Sequence, residues 1–214
     1  MDLNNYLLSL YKFDEVENLI IEFAKKSKTP ILSPLKGKIL SFLVKLKNPK
    51  DCFEIGLGIG FSTYQILKSL SENSTLISID KNFHRIDFFY ENIYMKFPYK
   101  LRKKLKVFPL DCFYVMEIFK KMKKKFDFIF IDSQKRDYIK MIEYLKSILR
   151  KNGLCIVDNI TYSKQILEIP TFRSLKYIEG IKLVDKFNKK ISFSKDFLSC
   201  FIPVEDGMGL IIRL

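Results

Sequence analysis

Residues 53–63 read FEIGLGIGFST, and no other stretch constrains the fold of this chain as strongly. A short apolar run over 52–55 leads into three alternating glycines, Gly56, Gly58 and Gly60. Ser62 and Thr63 then precede a helix-like stretch over 64–70. Strand, glycine turn and helix in that order open a parallel α/β unit. Glycine lets backbone come close to a ligand because no Cβ is in the way, and a helix start offers N–H groups to an anion. The spacing is G-x-G-x-G, whereas the dinucleotide fingerprint G-x-G-x-x-G needs glycine where Phe61 stands. The turn suits a nucleoside cofactor better than a dinucleotide.

Strands and helices alternate from residue 51 onward. Apolar runs predict strands over 52–55, 75–80, 105–110, 126–132 and 153–158, with helices over 61–71, 83–96, 113–124 and 136–149. The runs 126–131 and 154–157 are apolar at nearly every position, as in strands buried on both faces of a parallel sheet. Asp206-Gly207 between 199–204 and 208–213 is a hairpin signal. Ahead of residue 51 no strand signal occurs. Asp14 caps a helix over 15–26, and Ser33 with Pro34 at the first helical position opens one running to Lys47. The expectation is one α/β domain: a helical N-terminal lid over 1–50 and, over 51–214, a doubly wound, mostly parallel sheet with an antiparallel edge.

Composition limits the setting. There is no charged-then-apolar leader and no apolar stretch of membrane-spanning length, so a cytoplasmic protein without a membrane partner is expected. Cys52, Cys112, Cys155 and Cys200 are widely spaced and read as buried thiols rather than disulfides or zinc ligands. The net charge of +14 is compatible with nucleic-acid binding. It is equally what codon bias in an AT-rich genome produces, since Lys far outnumbers Arg and Trp is absent.

In a doubly wound sheet, ligands bind at the carboxyl ends of the strands. Asp80 ends the second strand twenty residues after Gly60, where an acid can accept from ribose hydroxyls; it can also cap the next helix. Asp111, after the third strand, can meet an adenine amino group or cap a helix. Asp132 ends the fourth strand, and Asp158-Asn159 ends the fifth. On neighbouring strands these ends lie about 5 Å apart. Two carboxylates that close repel unless a cation lies between them. With an amide carbonyl they make a hard oxygen set suited to Mg²⁺ or a similar divalent ion, although each can also cap a turn. Lys135, three residues after Asp132, reaches the same edge. A lysine beside a dication is pushed towards its neutral form and can serve as a base.

These residues resemble the class I S-adenosylmethionine-dependent methyltransferases, and within them the cation-dependent O-methyltransferases of the catechol and caffeoyl-CoA type. The resemblance covers roughly residues 30–214 and rests on five segments in order: FEIGLGIGFST, LISID, FDFIFIDSQKRDY, GLCIVDNI and PVEDGMGLIIRL. It implies that Glu54, Gly56, Gly60 and Ser62 line the methionine end of the cofactor, with Asp80 on the ribose and Asp111 near adenine. Asp132 serves the cofactor side and, with Asp158 and Asn159, holds the metal (Mg²⁺, Mn²⁺ or Ca²⁺). Lys135 takes the acceptor proton. It also implies a Rossmann-like seven-stranded sheet and a homodimer. Departures from the family pattern are Leu110-Asp111-Cys112 for Gly-Asp-Ala and Ser133 for Ala. Pro203 stands where the mammalian catechol enzyme has an acid that holds the catechol, and no Trp exists to form that enzyme's aromatic gate. These argue against a simple catechol. Residues 23–31 and Asn48-Pro49-Lys50 are similar to bacterial members that methylate hydroxyuridine in transfer RNA.

The expectation is a metal-dependent O-methyltransferase acting on an acidic hydroxyl, phenol- or enol-like, of a small molecule. The alternative acceptor is transfer RNA, guided by Lys36, Lys38, Arg85, Arg136, Lys164 and Arg173 rather than by the basic clusters over 100–106 and 120–125. The rival classes are a nicotinamide-dependent dehydrogenase, which Phe61 disfavours, and a non-catalytic RNA-binding module, which would leave the acids and Lys135 without a purpose.

Overall fold

Seven strands, β1 (Asp51–Ile55), β2 (Thr75–Ile79), β3 (Leu105–Phe108), β4 (Phe126–Ile131), β5 (Leu149–Asp158), β6 (Phe197–Ile202) and β7 (Met208–Arg213), form one sheet in the order β3-β2-β1-β4-β5-β7-β6. The computed structural model describes residues 3–161, 165–167 and 174–214. Pairing is parallel between β2 and β3, β1 and β4, and β4 and β5; β7 runs antiparallel to both β5 and β6. This is the doubly wound, mostly parallel sheet with an antiparallel C-terminal strand that the sequence predicts. Chain contacts divide it into two compact units, Met1–Lys50 with Gly56–Asp111, and Asp51–Ile55 with Cys112–Leu214.

The first unit holds α1 (Leu3–Ser9), α2 (Glu15–Ser27), α3 (Pro34–Lys47), α4 (Phe61–Ser69), α5 (Phe83–Phe88) and α6 (Tyr99–Arg102) around β2 and β3. The caps follow the sequence: Asp14 and Glu17 form a reciprocal capping box on α2, and Ser33 caps α3 ahead of Pro34. The helix expected over 83–96 changes pitch. After Phe88 it widens to a π-helical turn over Phe89–Ile93 and tightens to a 3₁₀ turn over Tyr94–Lys96.

Glu17 organises this unit. Its carboxylate is 1 % exposed. Oε1 accepts from Lys38 Nζ at 2.8 Å, Lys68 Nζ at 2.6 Å and Gln65 Nε2 at 2.8 Å, and Oε2 accepts from the Asp14 N–H at 2.8 Å. Burial works to raise its pKa, but the hydrogen bonds from Lys38, Lys68 and Gln65 outweigh it and bring it down to about 2. Two cations expected on the surface are therefore not available there. Lys38 is held by Glu17, and Lys36 is 1 % exposed because it lies in the first turn of α3 on the buried face. Lys164 and Arg173 lie outside the described residues.

The second unit packs α7 (Cys112–Lys121), α8 (Tyr138–Ile148) and α9 (Leu175–Ser192) with β1, β4, β5, β7 and β6. Phe128, Ile129, Phe130, Cys155, Ile156 and Val157 are fully buried, as two-sided parallel strands require. β5 starts four residues earlier than its apolar run. Its register with β4 shifts between Phe126 and Phe128, and Lys151-Asn152-Gly153 bulges there, with Asn152 at φ 59° and a Cβ on Gly153 reaching within 2.7 Å of the Arg150 carbonyl. The ladder continues past this bulge. The sequence reading has no helix at α9. Its buried Ile181, Val184, Phe187 and Ile191 are spaced for one helical face, and Gly180 inside the run obscured the pattern. Cys52, Cys112 and Cys155 are buried as expected, but Cys200 is exposed. It sits on β6, the outer strand of the sheet, on the face that nothing covers among the described residues. Among the described residues no helix is long and apolar enough to cross a membrane.

The Glu17 cluster predicts a pH signature. Because the folded pKa is depressed, the stabilisation is complete above the unfolded value near 4.5 and is lost as pH falls towards about 2. Wild type should exceed Glu17→Gln by roughly 3 kcal/mol at pH 7, with the gap closing across that window. Urea midpoints measured at a series of pH values check this, and a gap independent of pH would refute it.

Candidate active site

The candidate site residues fall into two groups, one in each unit. In the first unit, the loop after β1 is tied to the end of β2: the N–H groups of Gly56 and Leu57 both donate to the Ile79 carbonyl, at 2.8 and 3.2 Å. Gly56, Gly58 and Gly60 have φ of 102°, 57° and 92°, conformations that disfavour a side chain. Their surroundings differ. A Cβ on Gly58 would meet nothing within 4 Å, whereas one on Gly60 would strike the Phe89 ring at 2.6 Å. Gly60 thus serves packing against the π-helical turn, and Gly58 keeps an open side. Gly60 also brings no capping side chain to α4, whose first turn contains the buried Ser62.

Asp80, directly after β2 and 7 % exposed, holds this loop. Its Oδ2 accepts from the Gly58 N–H at 3.0 Å and its Oδ1 from the Asn82 N–H at 2.9 Å. The capping role weighed for Asp80 belongs instead to Asn82, which accepts from the Arg85 N–H. Each carboxylate oxygen has a second lone pair, so Asp80 can take a ligand hydroxyl while keeping the loop in place. Asp111 is exposed and immediately precedes α7.

In the second unit, β4 and β5 are neighbours with Ile131 opposite Val157. Asp132 and Asp158, the next residue of each, therefore end adjacent strands, about 5 Å apart. The Asp132 N–H donates to the Ile55 carbonyl at 2.9 Å, continuing the ladder to β1. On β1 itself Glu54 is wholly buried, opposite Phe130. Asn159 follows Asp158 with φ 57°, a left-handed conformation that asparagine tolerates well, and this turns its side chain into a network. Its Oδ1 accepts from Lys135 Nζ, and its Nδ2 donates to Asp158 Oδ2 at 3.0 Å and to Asp206 Oδ2 at 2.6 Å. Lys135 starts a 3₁₀ turn leading into α8. At the start of α8 the fully buried Tyr138 donates its hydroxyl to the Asp158 carbonyl at 2.9 Å. Burial pushes the Tyr138 phenol well above its ordinary pKa, and the charges of Asp132, Asp158 and Asp206 push the same way, so it remains a neutral donor.

The structure thus joins Lys135, Asp158 and Asn159 directly and sets Asp132 beside Asp158. Among the described residues no three His, Cys, Asp or Glu side chains gather as a metal cluster, so any metal set here depends on the Asn159 carboxamide. Asp206 and Tyr138 were not among the candidates. Asp206-Gly207 registers as a turn, and Tyr138 as the last residue of the segment FDFIFIDSQKRDY with no role of its own. The signals that pair Tyr138 with the site are its place at the end of that segment and its spacing of three residues from Lys135 across a helix start.

A family model described as O-methyltransferase matches residues 8–214. Caffeoyl-CoA O-methyltransferase 1 of Arabidopsis thaliana is 25% identical over 183 residues, covering 84% of this chain and 70% of that protein. Caffeoyl-CoA O-methyltransferase 2 of Petunia hybrida is 26% identical over 187 residues, covering 84% and 74%. A crystal structure from Staphylococcus aureus, ascribed to a caffeoyl-CoA O-methyltransferase, superposes with TM-score 0.87 at 26% identity over the whole of both chains. The Bacillus cereus O-methyltransferase solved in complex with SAH shares the fold, with TM-score 0.81 at 21% identity over 96% of this chain and 93% of its own.

The Tyr138 hydroxyl fastens α8 to the end of β5. Tyr138→Phe should leave the buried Asp158 carbonyl short of a donor and lower stability by about 1–3 kcal/mol. Denaturant unfolding checks this, and an unchanged midpoint would contradict it.

Proposed function

The chain belongs to the O-methyltransferase family, whose model spans residues 8–214, and from that premise we propose that it uses a divalent cation to transfer a methyl group from S-adenosylmethionine to an acidic, phenol- or enol-like hydroxyl of a small molecule. The observation that carries the finer part is the hydrogen bond from Lys135 Nζ to Asn159 Oδ1 beside the paired acids Asp132 and Asp158.

The donor atoms fit a hard cation such as Mg²⁺, Mn²⁺ or Ca²⁺. Asp132 and Asp158 bring carboxylates and Asn159 a carboxamide oxygen, and that oxygen already accepts from a cationic group, Lys135. When bound, S-adenosylmethionine supplies an electrophilic methyl group, and a divalent ion lowers the pKa of an acceptor hydroxyl and stabilises its oxyanion. The chain's own residues do the rest. Asp80 accepts from the ribose hydroxyls and fixes the loop through Gly58, and Gly58 admits the ligand where a side chain would intrude. Lys135 Nζ is the group that takes the acceptor proton as general base. Asn159 keeps that amine in place until then, and holding the reactants aligned supplies much of the acceleration.

Two observations favour this over the rivals. Phe61, where a dinucleotide loop needs glycine, is buried core: its ring lies 2.7 Å from where a Cβ on Gly37 would stand. The transfer-RNA reading relied on six cations. Lys36 is buried and Lys38 is held by Glu17, so the support for a polyanionic acceptor shrinks.

The test is methyl transfer from labelled S-adenosylmethionine to a panel of phenolic and enolic acceptors and to undermodified transfer RNA. Transfer to small acceptors should stop with a chelator and return with Mg²⁺. Full turnover by a metal-stripped sample, or transfer to RNA alone, would overturn the reading. Lys135→Met should lower kcat by about 10²–10⁴-fold with S-adenosylhomocysteine affinity unchanged. Asp80→Ala should do the reverse, weakening that affinity by roughly 10–100-fold through lost charge-assisted hydrogen bonds. Calorimetry and initial rates on both variants separate the two roles, and an unchanged kcat in Lys135→Met would remove Lys135 from the chemistry.

A further inference from the structure

Asp206 lies in the turn between β6 and β7 and belongs to none of the roles above, yet its Oδ2 accepts a hydrogen bond from Asn159 Nδ2 at 2.6 Å, against 3.0 Å for the one that Asp158 accepts. A carboxamide can face either way round, its oxygen and its NH₂ exchanging places, and only one of the two presents an oxygen to a cation. Three charges decide which. With the NH₂ on Asp158 and Asp206 and the oxygen on the Lys135 ammonium, every contact is attractive. A flip would set the oxygen against two carboxylates and the NH₂ against an ammonium, making all three repulsive.

Asp158 cannot do this alone. In the proposed reaction its carboxylate also serves the cation, and an oxygen drawn to a cation accepts less well from an amide. Asp206 has no such second duty and comes from a separate strand pair. Its turn is seated on the residues after Asp158. The Thr161 N–H donates to the Asp206 carbonyl at 2.9 Å, and the Gly207 N–H closes the turn on the Val204 carbonyl at 2.7 Å. Gly207 has φ 83°, and a Cβ there would meet Thr161 Cγ2 at 2.7 Å and Ile160 Cδ1 at 2.9 Å. β7 then pairs with β5 from Met208 opposite Asp158.

We infer that Asp206 is a positioning residue: by holding the Asn159 NH₂ it keeps Asn159 Oδ1 turned towards Lys135 and towards a divalent cation, without touching cofactor or acceptor. This rests on the metal-dependent reading proposed above. Outer partners of metal ligands typically matter by 10–100-fold in affinity or activity.

The experiment compares wild type, Asp206→Ala, Asp206→Asn and Gly207→Ala for melting temperature, Mn²⁺ affinity by electron paramagnetic resonance, S-adenosylhomocysteine affinity by calorimetry, and kcat. Asp206→Ala should bind Mn²⁺ about 10-fold or more weakly and lose kcat to match, with S-adenosylhomocysteine affinity unchanged. Asp206→Asn should restore most of both, because its own amide oxygen can accept the same hydrogen bond. Gly207→Ala, which pushes the turn off Thr161 but leaves the carboxylate, should weaken Mn²⁺ binding in the same direction. It serves as the deciding variant if Asp206→Ala does not fold. Wild-type Mn²⁺ affinity in Asp206→Ala, or equal loss in Asp206→Asn, would overturn the inference while leaving the metal reading intact. No Mn²⁺ binding by wild type would overturn both.

Discussion

The parallel pairing of β4 with β5 is the constraint that sets Asp132 beside Asp158. Over Phe128–Ile131 and Leu154–Val157 both strands are buried on both faces, so their register there is set by packing rather than by a turn. With Ile131 opposite Val157, the residues that follow emerge together at the carboxyl edge. Two acids there would be unfavourable neighbours in isolation. They are tolerated because cationic and amide donors surround them: Lys135 through Asn159, and Asn159 itself on Asp158. A slip of one residue would swap the two buried faces of β4 and force its phenylalanines and isoleucines into sites shaped for other side chains, a repacking cost of about 1–3 kcal/mol per overpacked site. The alignment of Asp132 with Asp158 is therefore protected by hydrophobic burial that has no chemical role of its own.

The first unit solves a different problem by similar means. A glycine loop is costly to order because glycine loses the most conformational freedom on folding. Asp80 offsets that cost by accepting the Gly58 N–H, and the Ile79 carbonyl by taking the N–H groups of Gly56 and Leu57. The loop is thereby preorganised by the strand end that carries Asp80, so one buried side chain fixes the shape of the loop. Glu17 does comparable work among the helices, where a single buried carboxylate draws α2, α3 and α4 together through Lys38, Lys68 and Gln65.

Much of this was legible in the sequence, and the reasons are specific. The strand ends were readable because 52–55, 75–79 and 126–131 are short apolar runs closed by glycine or aspartate, a pattern that survives without tertiary information. The capping residues Asp14 and Ser33 act on their own helices, so local chemistry predicts them. What escaped was decided at long range. Asp206 is read as a turn residue because nothing in Val204–Gly207 reveals that the turn rests on Ile160 and Thr161, more than forty residues away. Lys36 looks like a surface lysine because burial depends on what α3 packs against. Cys200 looks buried because its neighbours are apolar, but β6 is an outer strand with one covered face. The break in the 83–96 helix arises where Phe89 must meet Gly60, a contact that no helical periodicity contains.

The net charge of +14 can now be apportioned. Some cations are structural: Lys38 and Lys68 neutralise Glu17, while Arg150 bridges Asp51 and Asp127 with Lys124 alongside. Burial first, with the like charges of Lys100 and Lys45, moves the Lys104 amine below its ordinary value; a cleft at the amino ends of β2 and β3 gathers it with Lys68, Lys100 and Lys103. Gly58 and Asp80 lie at the other end of β2. A strand of five residues separates the two by roughly 16 Å. Within this unit the densest positive field and the ligand-ready backbone therefore sit at opposite ends of the same strand. Beside the loop itself Arg85 lies 3.9 Å from the Asp80 carboxylate. The lysines of this unit are a composition that the fold accommodates: Lys38 and Lys68 are paired with the buried Glu17, and Lys100, Lys103 and Lys104 gather at a cleft away from the glycine loop.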